Sequence, residues 1–200
     1  MSEPGNPDEA IAEILAGNMR YLESKSRSHE VRIDRDTLAA GQAPFAAVIR
    51  CADSRVSPEI CFDQQLGRLF VCAVAGNIPT PEIIASLEYA VAVLGTKAIV
   101  IMGHSSCGAV DAAIKHHGNT SVLPGSLPNL INTIVSRCTT SMNTLDNIAL
   151  NTAIESNANV GVDDLLQQSS VIANAVNDGK LKIIAGVQDL RSGKFTVTRT

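Results

Sequence analysis

Four short, strongly apolar runs constrain this chain more than any other feature. They are Phe45–Ile49, Leu69–Val74, Ala98–Met102 and Leu181–Val187. Each is too short for a buried helix, and polar residues, Gly or Pro bound it, so each reads as a strand covered on both faces. Helical signals lie between them. From about Pro81 the apolar positions Ile83, Ile84, Leu87, Val91 and Leu94 repeat at helical spacing, and Gly95 stands where a helix stops. Polar helical segments are expected to fill Leu127 to Asp178. Such alternation predicts an α/β fold, a central mostly parallel sheet flanked by helices. The expected strand order is 2-1-3-4, with a possible edge strand after the hairpin-like Ser192-Gly193. In sheets of this kind, sites form beyond the carboxyl ends of the strands where the order reverses. Here that places the ends of the first and third strands side by side.

The remainder of the chain is simpler. Pro7-Asp8-Glu9 opens an amphipathic helix carrying Ala10, Ile11, Ile14, Leu15, Met19 and Leu22, with an acidic first turn. Ser24 to Asp36 is charged and polar, holds His29, and reads as a linker. Residues 1–36 are thus an N-terminal helical arm and linker, expected to pack on a neighbouring subunit, and 37–200 a single α/β domain. Sixteen basic against twenty acidic residues give a net charge of −4, which argues against nucleic acid or an anionic membrane as partner. Aromatic residues are 3% and Trp is absent, so there is no stacking platform for single strands. No apolar run approaches the ~20 residues of a membrane span. The opening Ser2-Glu3-Pro4-Gly5-Asn6 lacks a basic start and an apolar core, so a cytoplasmic location is expected. The five cysteines are odd in number and irregularly spaced. In that setting they are core thiols, metal ligands or a nucleophile rather than a disulfide frame. There is no Walker loop, GxGxxG or GxSxG.

Chemistry concentrates at the two neighbouring strand ends. Cys51-Ala52-Asp53-Ser54-Arg55 leaves the first, and His104-Ser105-Ser106-Cys107-Gly108 the third. In extended backbone Cys51, Asp53 and Arg55 share a face. If a helix starts after the third strand, His104 and Cys107 face the same way. Two sulfurs, an imidazole and a carboxylate then converge. Two Cys and one His with an open position form a catalytic zinc pattern, whereas a fourth protein ligand closes such a site. Two thiolates and a neutral imidazole leave Zn²⁺ a net-neutral centre that can still activate a water. Asp53 is the candidate fourth ligand, and Arg55 is placed to hold it off the metal through a bidentate pair. The blander readings are that Cys61, Cys72 and Cys138 are small core hydrophobes, and that His116-His117 are the solvated end of a helix, with a proton-relay role as the alternative. Cys107 as a nucleophile with His104 as its base also stands as an alternative.

Cys51-Ala52-Asp53-Ser54-Arg55-Val56, with Gly103-His104-Ser105-Ser106-Cys107-Gly108-Ala109-Val110, resembles the β-class carbonic anhydrases. Gly41-Gln42-Ala43-Pro44, Ala75-Gly76-Asn77 and Ser86–Val91 match the same pattern. The resemblance is strong from about Gly41 to Val110. It implies a zinc enzyme that interconverts CO₂ and water with bicarbonate and a proton through a zinc hydroxide. Cys51, His104 and Cys107 would be the ligands and Asp53–Arg55 the catalytic dyad, with Asp53 a possible fourth ligand in a closed state. Gln42 and Tyr89 would line the substrate pocket, with the Gly108 amide near the substrate oxygen. A homodimer or dimer of dimers is implied, with the N-terminal helix on the partner. CS₂ or COS hydrolysis, or a non-catalytic zinc module, are the competing outcomes of the same resemblance. The chain also departs from the pattern: Gln64 replaces a pocket Phe, while Ala73 and Gln188 replace the Arg and Tyr of an inhibitory bicarbonate site. That regulatory site is therefore expected to be missing.

Overall fold

The computed structural model describes residues 3–27, 35–142, 145 and 148–200. Five strands form one sheet in the order β2-β1-β3-β4-β5. They are β1 (Ala46–Arg50), β2 (Leu69–Ala73), β3 (Ala98–His104), β4 (Lys182–Gln188) and β5 (Phe195–Arg199). The first four run parallel, and β5 pairs antiparallel with β4. The four apolar runs are therefore the four parallel strands, and Ser192-Gly193 turns the chain into the expected edge strand. Gly193, at φ 79°, supplies the left-handed position of that turn.

Alternation along β1 explains why both faces are apolar. Ala47 and Ile49 join Ile99, Ile101, Ile183 and Ala185 on one face, under helices α4 (Pro81–Ala92), α7 (Leu150–Gln168) and α8 (Ser170–Asn177). Ala46 and Val48 join Ala98, Val100, Met102 and Ile184 on the other, under α1 (Pro7–Leu22). A third cluster, holding Val110, Ile131, Ile134 and Ile154, surrounds Cys51 and Cys107 between α5 (Gly108–His116), α6 (Leu127–Met142) and α7. Cys61, Cys72 and Cys138 are buried in these three clusters as core residues. Burial pushes their thiols up to about 12, 11 and 11.

The segment read as a linker to Asp36 gives way to a short helix, α2 (Arg35–Ala40); His29 lies outside the described residues. The first helix packs on its own chain. Asn6 caps it by accepting from the Glu9 amide at 3.0 Å, Pro7 opens it, and Ala10 and Ile14 are completely buried against the sheet. Polar ties hold it there. Asn18 donates to the carbonyls of Cys61 and Gly193, each at 3.0 Å, and accepts from the Phe195 amide at 2.9 Å. Arg20 pairs with the buried Asp63 at 2.5 Å.

Candidate metal centre

The parallel register sets the site. Arg50, the last residue of β1, lies opposite Met102, so Cys51 follows directly after β1, while β3 runs two residues further to His104. His104 is thus the last residue of a strand, opposite Gln188 of β4, and not the first residue of a helix. Cys107 caps α5 instead of lying on it. The turn between them requires Ser106 to adopt φ 58°, and it brings imidazole and thiol together where helical spacing does not. Ser105 secures that turn. Its amide donates to the Gln188 carbonyl at 2.8 Å, and its hydroxyl oxygen accepts from the Leu190 amide at 2.9 Å.

The ligand atoms of Cys51, His104 and Cys107 all lie within 4.8 Å of one another, and all three residues are buried. The two sulfurs are 4.0 Å apart. Two ligands at ~2.3 Å on a tetrahedral ion stand about 3.8 Å apart, so the spacing suits a shared metal. His104 Nε2 is buried without a hydrogen-bond partner, while Nδ1 lies 3.0 Å from the Ser105 carbonyl oxygen. That leaves Nε2 as the ring nitrogen turned toward the two sulfurs and able to ligate a metal. Cys51 Sγ accepts from the Gly76 amide at 3.3 Å. Cys107, whose S–H donates to Cys51, is the main reason that the Cys51 thiol falls to about 4. Facing that thiolate, and buried, Cys107 is itself pushed well above the ordinary thiol range.

Asp53 and Arg55 meet in a turn, not along an extended strand. The Arg55 amide donates to Asp53 Oδ1 at 3.0 Å, and its guanidinium grips both carboxylate oxygens at 2.9 and 2.7 Å. That grip holds the Asp53 carboxyl well below the usual carboxylate range. Asp53 Oδ2 stands 4.0 Å from His104 Nε2, beside the ligand cluster but turned to Arg55. Arg55 also reaches the Ser106 carbonyl at 3.4 Å, tying the two strand-end loops together. Gly108 is the first residue of α5, exposed, and a Cβ there would meet nothing within 4 Å.

The remaining candidates lie elsewhere. Gln42 is exposed and precedes β1, at the amino ends of the strands. Tyr89 is 48% exposed on α4, its ring 6.4 Å from that of Phe70 near the start of β2. At about 3.3 Å per residue, β1 alone separates that end from Cys51 by roughly 16 Å. Within one chain neither residue lines the cluster. Gln64 is buried, and its amide is spent on Glu13 at 3.0 Å and the Phe62 carbonyl at 2.9 Å, under α1. His116 and His117 close α5, about 12 Å along the helix axis from Gly108. Sequence reasoning missed a buried polar chain behind the site: Arg137 of α6 and Asn157 and Asp164 of α7. The signal was a polar residue on an otherwise apolar stripe: Asn157 among Ile154, Ala158 and Leu165.

The carbonic anhydrase family model matches residues 46–195. Carbonic anhydrase 2 of Mycobacterium tuberculosis is 36% identical over 94% of this chain and 91% of its own. The carbonic anhydrase of Mycolicibacterium smegmatis is 34% identical over 94% and 92%. In structure, the chain is similar to tetrameric β-carbonic anhydrases of the ascomycete Sordaria macrospora, with a TM-score of 0.74, 26% identity and coverage of 94% and 96%. A site at the reversal point of the sheet, a Cys-His-Cys donor set and full-length likeness agree: the chain belongs to the β-class carbonic anhydrases.

Proposed function

We propose that Cys51, His104 and Cys107 hold a zinc ion and that this carbonic anhydrase carries out the reversible hydration of carbon dioxide to bicarbonate at that centre. The observation that carries the assignment is the donor set: two sulfurs 4.0 Å apart beside an imidazole nitrogen that is buried and unpartnered. Sulfur and imidazole together favour zinc over the oxygen-seeking divalent ions. When bound there, zinc supplies the Lewis acidity that makes coordinated water nucleophilic near neutral pH.

The protein does the rest. Asp53, kept ionised and kept off the ligand cluster by Arg55, is an acceptor that orients the attacking water through one hydrogen bond. The first amide of α5, at Gly108, is proposed as donor to a substrate oxygen as negative charge develops.

Gln42 and Tyr89 can serve the pocket only from a second copy of the chain, which favours a homodimer or dimer of dimers. Among the described residues, no helix is long and apolar enough to cross a membrane. Five free thiols suit a reducing compartment such as the cytoplasm. The inhibitory bicarbonate site is proposed to be missing, because Ala73 has no cation to offer and Gln188 is buried.

Elemental analysis and stopped-flow CO₂ hydration at alkaline pH test the zinc reading. The parent should carry stoichiometric zinc and turn over CO₂, while Cys51→Ser should lose both. Full metal retention in Cys51→Ser, or an active metal-free parent, overturns it.

A further inference from the structure

Behind the ligand cluster a continuous buried chain of polar groups runs from α7 to Cys51. Asp164, with a side chain 23% exposed, pairs with Arg137 Nη1. Arg137, 6% exposed, donates through Nε to Asn157 Oδ1 at 2.9 Å and through Nη2 to the Asn157 carbonyl at 2.7 Å. Asn157, completely buried, donates through Nδ2 to the Gly76 carbonyl at 2.8 Å. Gly76 then donates its own amide to Cys51 Sγ.

Each link has one possible direction. A guanidinium only donates, so Asn157 must turn its oxygen to Arg137 and its amide nitrogen to Gly76. Gly76 sits at φ 76°, ψ 14°, a conformation that costs other residues free energy. A Cβ there would stand 2.5 Å from Ile134 Cδ1. Its carbonyl accepts from Asn157, and the N–H of the same peptide unit, that of Asn77, donates to the Val74 carbonyl at 3.0 Å, so the two links together fix the backbone torsions of Gly76. Gly161 keeps the space open for Arg137: a Cβ there would meet Nη2 and Ile101 Cδ1 at 3.0 Å. Burying a guanidinium is expensive, and apolar packing would cover α6 and α7 as well. The chain of groups ends on a metal ligand, and that end is where its geometry has a consequence.

We propose that Asn157, oriented by Arg137, is a positioning residue of the metal centre: by holding the Gly76 carbonyl it fixes the backbone torsions of Gly76, so that the amide hydrogen on the other side of its Cα stays aimed at the Cys51 sulfur. An N–H directed at a thiolate draws electron density from it and weakens its donation to the metal. The metal then keeps more of its Lewis acidity, which two thiolates would otherwise reduce. The inference rests on Cys51 being a ligand, as proposed above, and the test separates the two ideas.

Asn157→Asp is the decisive variant. A carboxylate still satisfies Arg137 but presents an acceptor to the Gly76 carbonyl, so the link to the site is lost and replaced by repulsion; Arg137→Lys removes the orientation without adding a negative charge. Each protein is loaded with Co²⁺ and checked by circular dichroism. Its thiolate-to-cobalt charge-transfer band is then measured. The expected result is a band moved to longer wavelength, because the sulfur donates more freely. Arg137→Lys, which keeps the charge but frees the Asn157 amide to turn, should move the band the same way and serves if Asn157→Asp does not fold. A parent lacking the band overturns both the ligand reading and this one. A parent band that neither variant moves overturns the positioning role alone.

Discussion

Arg55 holds Asp53 with three hydrogen bonds at 2.7 to 3.0 Å, and that grip decides which group faces the ligand cluster. Without it, a carboxylate oxygen 4.0 Å from His104 Nε2 is close enough to swing onto a metal and close the site. Arg55→Gln should therefore lower CO₂ hydration by about ten- to a hundredfold, the usual cost of disturbing such an outer partner. Stability at pH 7 should barely change, because Arg55 is largely exposed and surface pairs contribute little. The pH dependence has a definite sign. The Asp53 carboxyl is depressed in the folded protein relative to about 3.9 when unfolded. The pair's contribution is thus complete above about pH 4 and lost as pH falls through the folded value. Between pH 6 and 9 Asp53 does not titrate. Stopped-flow profiles of parent and Arg55→Gln over that range should run parallel; a change of shape would assign the titration to Asp53. Cys51 and Cys107 behave differently: their sulfurs must lose protons to bind a cation, so metal affinity rises with pH.

At the scale of elements, the helix α1 is held to the sheet by close backbone approach as much as by its apolar stripe. A Cβ at Gly17 would stand 1.8 Å from the Phe62 carbonyl oxygen, and backbone on both sides leaves nothing to yield. Gly17→Ala should lower the urea unfolding midpoint, costing on the order of 1–3 kcal/mol or more; an unchanged midpoint would mean that α1 is not seated as described. How far each element was legible in the sequence follows from what holds it. The parallel strands were readable because their apolar character is intrinsic and their length decisive. Helix α4 was readable because Ile83, Ile84 and Leu87 keep a period and Gly95, at φ 71°, stops it. The short α2 buries none of its residues, so it left no apolar pattern to read. The ligand identities were legible from residue types, but their convergence was not. It comes from Ser106 at φ 58° and from a turn that folds Arg55 back onto Asp53, local conformations that spacing rules do not reach. The Asn157 link was hidden for another reason: its partners Gly76 and Arg137 are brought together only by the packing of α6 and α7 on the sheet.

At the scale of the whole molecule, the sheet separates what the family resemblance asks to be together. The ligand cluster lies past the carboxyl ends of β1 and β3, while Gln42 and Tyr89 lie toward the amino ends, with the length of β1 between. No rotamer crosses that distance. A twofold pairing of two copies can, because an isologous interface sets one chain's surface against a different part of its partner's in each direction. Subunit complementation distinguishes the two possibilities. Cys51→Ser chains lose the metal, and Gln42→Ala chains keep it but lack the pocket amide, so each homo-oligomer should be inactive or weak. In a mixed dimer isolated through two affinity tags, the Gln42→Ala chain still holds its own cluster and receives an intact Gln42 from the Cys51→Ser chain. One of the two sites is then complete, and CO₂ hydration should recover to about half that of the parent dimer, as twofold symmetry requires. If each chain built its pocket alone, the mixture would contain no complete site, and activity no higher than that of the Gln42→Ala homo-oligomer would rule out sharing. Tyr89→Ala in place of Gln42→Ala should complement in the same way, since its ring leaves the chain from the same end of the sheet.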